Sequence, residues 1–405
     1  MKILIIGGGA AGIFAAITAA EKNPGLQVFV AEKGQLLSKV RISGGGRCNV
    51  THSCFDPKVL VKNYPRGEKQ LLGPFTRFQP QDTIRWFEQR GVPLKTEEDG
   101  RMFPITDRSE TIIECLLGEC RRLGVTILSH ARVESIQKAE NSFYVLFNDG
   151  STQSYDKIVL TTGGTTQGYA LAHSLGHTTV PSVPSLFTFN VPTSPLLELS
   201  GISVEKATLS LEGSSLKQTG PLLLTHWGFS GPAALKLSAW AARFLHEKEY
   251  HAVLRIQWIP DLNLEAIITQ LNEIKQSKPT STVGSLNAFD FPKKLWKKFL
   301  DVLELDSEQK LAQFSRKDLL RLGEKLYQDR YQIEGKTTYK QEFVTAGGVA
   351  LNEVNFKTME SKVCPGLYFA GEILDIDGVT GGFNFQNAWT TGWIVGEALK
   401  DFNTE

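Results

Sequence analysis

The stretch that decides the fold is ILIIGGGAAG, residues 3–12. A short apolar run ends in three glycines, and small residues continue beyond Gly12. This pattern predicts a buried strand over residues 2–6, a tight turn, and a helix through Gly12 to Ala20. Gly7, Gly9 and Gly12 occupy the G-x-G-x-x-G positions of a dinucleotide-binding turn. Gly7 permits the turn, Gly9 lets backbone reach a pyrophosphate, and Gly12 lets helix and strand pack closely. Ala10 and Ala11 open the helix, whose N-terminal N–H groups favour an anion. QVFVA, residues 27–31, is the next strand, and Glu32 at its end is placed to accept from ribose hydroxyls, with Lys33 beside it.

Outside this βαβ opening, composition sets bounds. The chain has 405 residues, 44 basic and 43 acidic, for a net charge of +1. Near-neutrality argues against a general cationic coat for nucleic acid, though not against a local patch. Five cysteines, at 48, 54, 115, 120 and 364, are too few and too scattered for a disulfide framework, which points to free thiols in a reducing, cytoplasmic setting. The apolar N-terminus carries a single lysine and is interrupted by glycines, so it is expected to be a core strand and not a signal peptide. No uninterrupted apolar run is long enough for a membrane span.

Along the chain, VTILSH, RVESIQ, SFYVLFN and YDKIVLTTGG (residues 125–164) suggest strands, with a β-meander before a return to the parallel sheet. LFTFNV, KATLSL and AVLRIQW then alternate with proline and glycine, as in a small barrel. LEAIITQLNEIKQ, PKKLWKKFLDVLEL and RKDLLRLGEKLYQ have helical apolar spacing. The expected organisation is a nucleotide-binding domain over residues 1–184 and 341–405, a β-barrel-like insert over 185–260, and a helical insert over 261–340.

The nucleotide-binding turn alone leaves FAD and NAD open. IVLTTGGTT (158–166) runs a buried strand into Thr162, Gly163 and Gly164, a second backbone approach to a dinucleotide. GLYFAGEILDIDG (366–378) supplies a third, ending at Gly371 and Glu372 and followed by Asp375. In GVTGGFNFQNAWTTG (378–392), Gly382, Phe383 and Asn384 begin a helix whose positive end suits an anionic reduced flavin. A late strand of this kind serves FAD and not a plain NAD dehydrogenase.

With GGGAAG, SGGGRCNVTH, GRMFP, THWGFSGPAAL, VTAGGV and GLYFAGEILDIDGVTGGFNFQNAWTTG, the chain resembles the bacterial aminoacetone-oxidase-like family of NAD(P)/FAD-dependent flavoproteins over essentially its whole length. The resemblance implies a glutathione-reductase-like α/β domain with a Rossmann FAD-binding sheet, interrupted by a β-barrel and a helical subdomain. It also implies an oxidoreductase using FAD, with NAD(P)H as reductant. The family includes dihydrouridine synthases of large-subunit ribosomal RNA, which makes that RNA a candidate partner. Amine oxidases and reductases of conjugated ketones belong to it too, so a small-molecule substrate stays open. His52 departs from the asparagine that family members often carry there.

SGGGRCN resembles the glycine element that passes along the flavin ring in fumarate-reductase-like flavoproteins. Gly44, Gly45 and Gly46 would let the main chain lie against the isoalloxazine, with Arg47 and Asn49 as neighbours. Arg47 would be a fixed cation near flavin or substrate. Cys48 has two readings, small buried packing or the general acid of a C=C reduction; the second is an analogy to barrel-fold dihydrouridine synthases. His226 is either a structural imidazole or a proton donor at the substrate. KKLWKKFL (293–300) is either a solvated helix with aromatics packed inward or a phosphate contact for RNA. His173 and His177 are spaced four apart without acidic or cysteine partners nearby, and no metal site is expected. A non-enzymatic flavin-binding, RNA-associated or redox-sensing protein is the remaining alternative.

Overall fold

The computed structural model describes residues 1–286, 289–337 and 344–399. Lys2–Ile6 forms β1, Ala10–Lys22 forms α1 and Gln27–Glu32 forms β2. Thr126–Ser129 is β3, Lys157–Leu160 β4, Leu367–Phe369 β5 and Phe383–Ala398 α2. These strands make a parallel sheet in the order β5-β4-β1-β2-β3, extended beyond β5 by two short antiparallel strands. β1 carries Ile3, Leu4 and Ile5 with no exposed surface, as expected of a strand covered on both faces. The β-meander is present as 133–138, 143–147 and 152–155, a separate three-stranded antiparallel sheet.

Helices α1 and α2 pack unusually closely. A Cβ on Gly392 would lie 2.6 Å from the Ala11 carbonyl oxygen, and one on Gly396 would lie 2.4 Å from Thr18 Cβ. The run of alanines in α1 is what allows this approach, because no long side chain stands between the two backbones.

The chain divides into two units. The first contains Met1–Ser185 and the later residues 344–399; the second contains residues 186–337. Thr179–Ser185 and Val344–Val349, where the chain leaves and re-enters the first unit, pair antiparallel with Ser185 opposite Val344.

In the second unit an antiparallel sheet closes on itself. Asp329–Glu334 pairs with His251–Gln257, and after Gly335 the same stretch continues as Lys336–Thr337 to pair with Thr188–Phe189. Gly335 has φ +97, a region that favours glycine at such a bend. The closing strand therefore lies beyond the helices 264–277, 293–302 and 316–327, inside the stretch expected to be helical. Its pattern is disguised because Asp329 faces inward, 4% exposed. That carboxylate accepts from Trp258 Nε1 at 3.0 Å and Tyr331 Oη at 2.5 Å, and pairs with Lys325 at 2.7 Å. Barrel and helices share one apolar core, in which Trp258 meets Phe299 and Phe291 meets Trp296. Among the described residues no helix is long and apolar enough to cross a membrane.

Candidate active site

Strand order turns between β1 and β4, since β2 follows β1 to one side while β4 and β5 lie on the other. In open α/β sheets the crevice beyond the strand C-termini at such a point is where ligands bind. Three glycine-bearing turns converge there: Gly7–Gly9 after β1, Thr162–Gly164 after β4, and Gly371 after β5.

The three fingerprint glycines have separable reasons. A Cβ on Gly12 would fall 2.0 Å from the Gly7 oxygen, and one on Gly7 would fall 2.6 Å from the Thr161 oxygen. Gly9 has φ −83, and a Cβ there would meet nothing within 4 Å. The protein's own packing demands the first two, whereas the third leaves a cradle that a side chain would fill. No side chain caps α1, so the N–H groups of its first turn around Ala10 face that cradle uncapped. Ala11 itself is 6% exposed and packs on Gly371, so it can contribute only backbone. Glu32 accepts from the Gly8 and Gly34 N–H groups, both at 2.7 Å, which fixes its carboxylate at the end of β2. Lys33 is exposed and donates to Gln167 at 2.9 Å. Glu372 pairs with Lys39 and lies 4.0 Å from the position of a Cβ on Gly163. Gly164 abuts Thr345 and Asp375 N–H donates to Val349. The backbone cradle, the uncapped helix and the carboxylate at the β2 terminus fit the diphosphate and ribose of FAD.

Gly44, Gly45 and Gly46 have φ of +58, +69 and +86 in succession, a path that side chains resist. Cβ atoms on Gly45 and Gly46 would meet nothing within 4 Å, so this loop too presents open backbone. Asn49, with its amide oriented as its partners require, accepts from Gly382 N–H at 2.9 Å and donates to the Thr51 oxygen at 3.0 Å. It joins the glycine loop to the start of α2. Asn384 closes the 378–382 turn, accepting from Gly378 N–H at 2.7 Å and donating to the Gly378 oxygen at 2.9 Å.

Several expected roles change. Cys48 has no exposed surface, its φ is +63, and burial pushes its thiol up to about 12 against an opposing hydrogen bond with Ser43. A sulfur that nothing outside the protein can reach is not a proton donor to substrate. Arg47 is committed to Glu97 at 2.6 Å and Asp107 at 3.6 Å, with its guanidinium 4.0 Å from the Phe103 ring centre. Its charge is thus matched within the protein and not held free for a ligand. Phe383 is 3% exposed and stacks on His52 at 4.7 Å, so only its backbone can face a cofactor. His226 lies in the second unit, exposed in the turn between strands 217–225 and 228–230. His173 and His177 do not share a ligand. His173 bonds Thr179, whereas His177 bonds Glu353 and Ser361. In the basic helix 293–302, Leu295, Trp296, Phe299 and Leu300 are buried, and Lys298 pairs with Glu198.

Two bonding networks went unread in the sequence, one at Asp377 and one at Gln386. Asp377, with no exposed surface, forms a two-pronged ion pair with Arg66 and accepts from Ser185 Oγ at 2.7 Å. Burial pushes its carboxyl up while Arg66 opposes the shift, so the pair anchors the 374–382 turn to the strand that leaves the first unit. Gln386, equally buried, bonds three threonines. For Gln386, a polar residue in the otherwise apolar α2 was the available signal.

Fold and site define a dinucleotide-binding flavoprotein oxidoreductase. The chain belongs to the HI0933-like family: the family model described as HI0933-like protein Rossmann domain matches residues 1–398. It is an FAD-dependent oxidoreductase. It is 32% identical to a 3-dehydro-bile acid delta(4,6)-reductase of Clostridium scindens, covering 99% of each chain. It is also 32% identical to a ribosomal RNA dihydrouridine synthase of Escherichia coli, covering 98% of this chain and 97% of that one. A 3-ketosteroid-delta4-(5alpha)-dehydrogenase of Rhodococcus jostii has the same fold, with TM-score 0.50, 13% identity, and 98% and 96% of the two chains covered.

Proposed function

We propose that this protein is an NAD(P)H-driven reductase of a carbon–carbon double bond, and that its substrate is a uridine of large-subunit ribosomal RNA. The observation that carries this reading is the full-length match to two relatives whose names both describe adding hydrogen to a C=C bond. FAD, when bound, supplies the hydride chemistry. The chain's own residues hold it: the Gly7–Gly12 turn and first turn of α1 at the diphosphate, Glu32 at the ribose, and the Gly44–Gly46 loop at the ring system. Bound FAD, reduced by NAD(P)H, would supply a hydride to one alkene carbon, and a proton from solvent would complete the other. The sequence carries no second G-x-G-x-x-G unit, so the nicotinamide visits transiently instead of occupying a Rossmann site of its own.

The deciding experiment incubates the FAD-loaded protein with NADPH and unmodified large-subunit RNA, then analyses the nucleosides by mass spectrometry. Dihydrouridine at a defined position is expected, and its absence sinks the RNA substrate. A second reading, reduction of a small enone, is favoured by the match to the bile acid reductase. NADPH oxidation driven by a steroid dienone, with RNA inert, would select it.

A further inference from the structure

Three consecutive residues after the glycine loop are each bonded to α2 or to Gly382, which immediately precedes it. Asn49 accepts from Gly382 N–H, the Val50 oxygen accepts from Trp389 Nε1 at 2.9 Å, and Thr51 Oγ1 donates to Gln386 Oε1 at 2.6 Å. Gln386 is the centre of this attachment. Its oxygen also accepts from Thr83 Oγ1 at 2.9 Å. Its nitrogen donates to Thr390 Oγ1 at 3.0 Å, and that hydroxyl donates to the Phe78 oxygen at 2.9 Å. Thr51, Thr83, Gln386 and Thr390 all have no exposed surface, so the bonds are shielded from competing water.

The loop these bonds restrain has unusual freedom to lose. Three successive glycines lack the side-chain packing that would otherwise fix their path, and a glycine backbone samples more conformations than any other. Its internal restraints include the Cys48 N–H bond to the Ser43 oxygen at 3.0 Å. A site that positions a reacting ring to within about 0.5 Å needs its loops fixed by supporting hydrogen bonds.

We propose that Gln386 is a positioning residue for the oxidoreduction. Acting through Thr51, it fixes the Gly44–Gly46 loop to the N-terminal turn of α2 and makes the two one rigid support for the flavin ring. This rests on the reading that places the ring between that loop and that turn.

The test uses the purified holoenzyme and three substitutions. Gln386→Leu keeps the volume and removes every bond of that side chain, Gln386→Glu keeps both acceptor bonds, and Thr51→Val removes only the bond from Thr51 to Gln386. The measurements are FAD dissociation constant, flavin midpoint potential without substrate, circular dichroism of the bound flavin in the visible, and thermal melting. Q386L and T51V are expected to weaken FAD binding about tenfold, the effect of one lost buried hydrogen bond. They should also shift the potential and the visible dichroism, with the double variant no worse than Q386L. Q386E is expected to recover most of the affinity. Wild-type affinity, potential and dichroism in T51V overturn the proposal, even if melting falls, because a merely structural bond would give that result. The same outcome in Q386L does so too, and if Q386L fails to fold, T51V and Q386E decide alone. If the wild-type protein itself holds no FAD, the cofactor reading has failed and not the role of Gln386 alone.

Discussion

At Gly9 and Gly12 the same small residue serves opposite needs, and substitution separates them. Gly12→Ala is expected to prevent folding, since its methyl would sit 2.0 Å from a backbone oxygen. Gly9→Ala is expected to fold with a normal melt and lose FAD, measured by flavin retained on purification. Cys48→Ala should keep kcat/KM within about twofold, because a residue outside the chemistry contributes no transition-state interaction. A loss of a hundredfold would restore it as the acid. The fingerprint glycines were legible because their requirement is local, written in spacing along one turn. The burial of Cys48 was not legible, because it depends on residues that surround it in space. Likewise the carboxylates that claim Arg47 stand fifty and sixty positions away. The bond between Asn49 and Gly382, just before α2, could not be read from a chain separation of more than three hundred residues.

Elements show a comparable split between local and distant causes. The β1-α1-β2 unit and the glycine turns after β4 and β5 follow from apolar runs punctuated by glycine. The barrel's last strand escaped because a buried aspartate breaks its alternation, and the ion pair that tolerates it comes from a neighbouring helix. A second network has consequences for pH. His177, 2% exposed, bonds Glu353 at 2.9 Å and Ser361 at 2.7 Å, and Glu353 also accepts from Thr178 Oγ1 at 2.6 Å. It thereby joins the roots of both strands, 179–185 and 344–349, where the chain leaves and re-enters the first unit. Burial lowers the His177 imidazole below its usual range, more than Glu353 raises it. Burial pushes the Glu353 carboxyl up, but the bonds from Thr178 and His177 outweigh it and leave it lowered. For a depressed imidazole the unfolded chain binds the proton first. Stability from this site is therefore full above about pH 6.5, the unfolded histidine value, and declines as pH falls below it. The lowered carboxyl adds a further loss at more acidic pH. Thermal melts from pH 8 to pH 5 should show this decline in the wild type and a shallower one in His177→Gln. Equal slopes would remove His177 as its source.

Across the whole molecule, the point where the chain leaves the first unit is also where it returns, with Ser185 opposite Val344 in one antiparallel pair. Replacing the second unit by a short glycine–serine turn between these positions should leave a soluble, FAD-binding protein, checked by its flavin spectrum and melting. Recovery of only aggregated, colourless protein would show that the first unit cannot fold without the second. The texture changes from glycine-punctuated α/β to short strands near residue 185, where the two units divide. The shared core of barrel and helices could not be read, since packing between segments leaves no mark on either one alone.

The position of β5 in the sequence has a consequence for synthesis on the ribosome. β4 is complete at Leu160 but its neighbour β5 begins only at Leu367, and the helix that covers α1 comes later still. At translation speeds of about 5–20 residues per second, the nascent sheet waits roughly 10–40 seconds with an open edge and an uncovered alanine-rich helix. The barrel, closed by residue 337, can finish in that interval. Emergence of the last sixty residues is then the step that converts a vulnerable half-sheet into a protected one, and the stage at which a chaperone holding that edge would matter most.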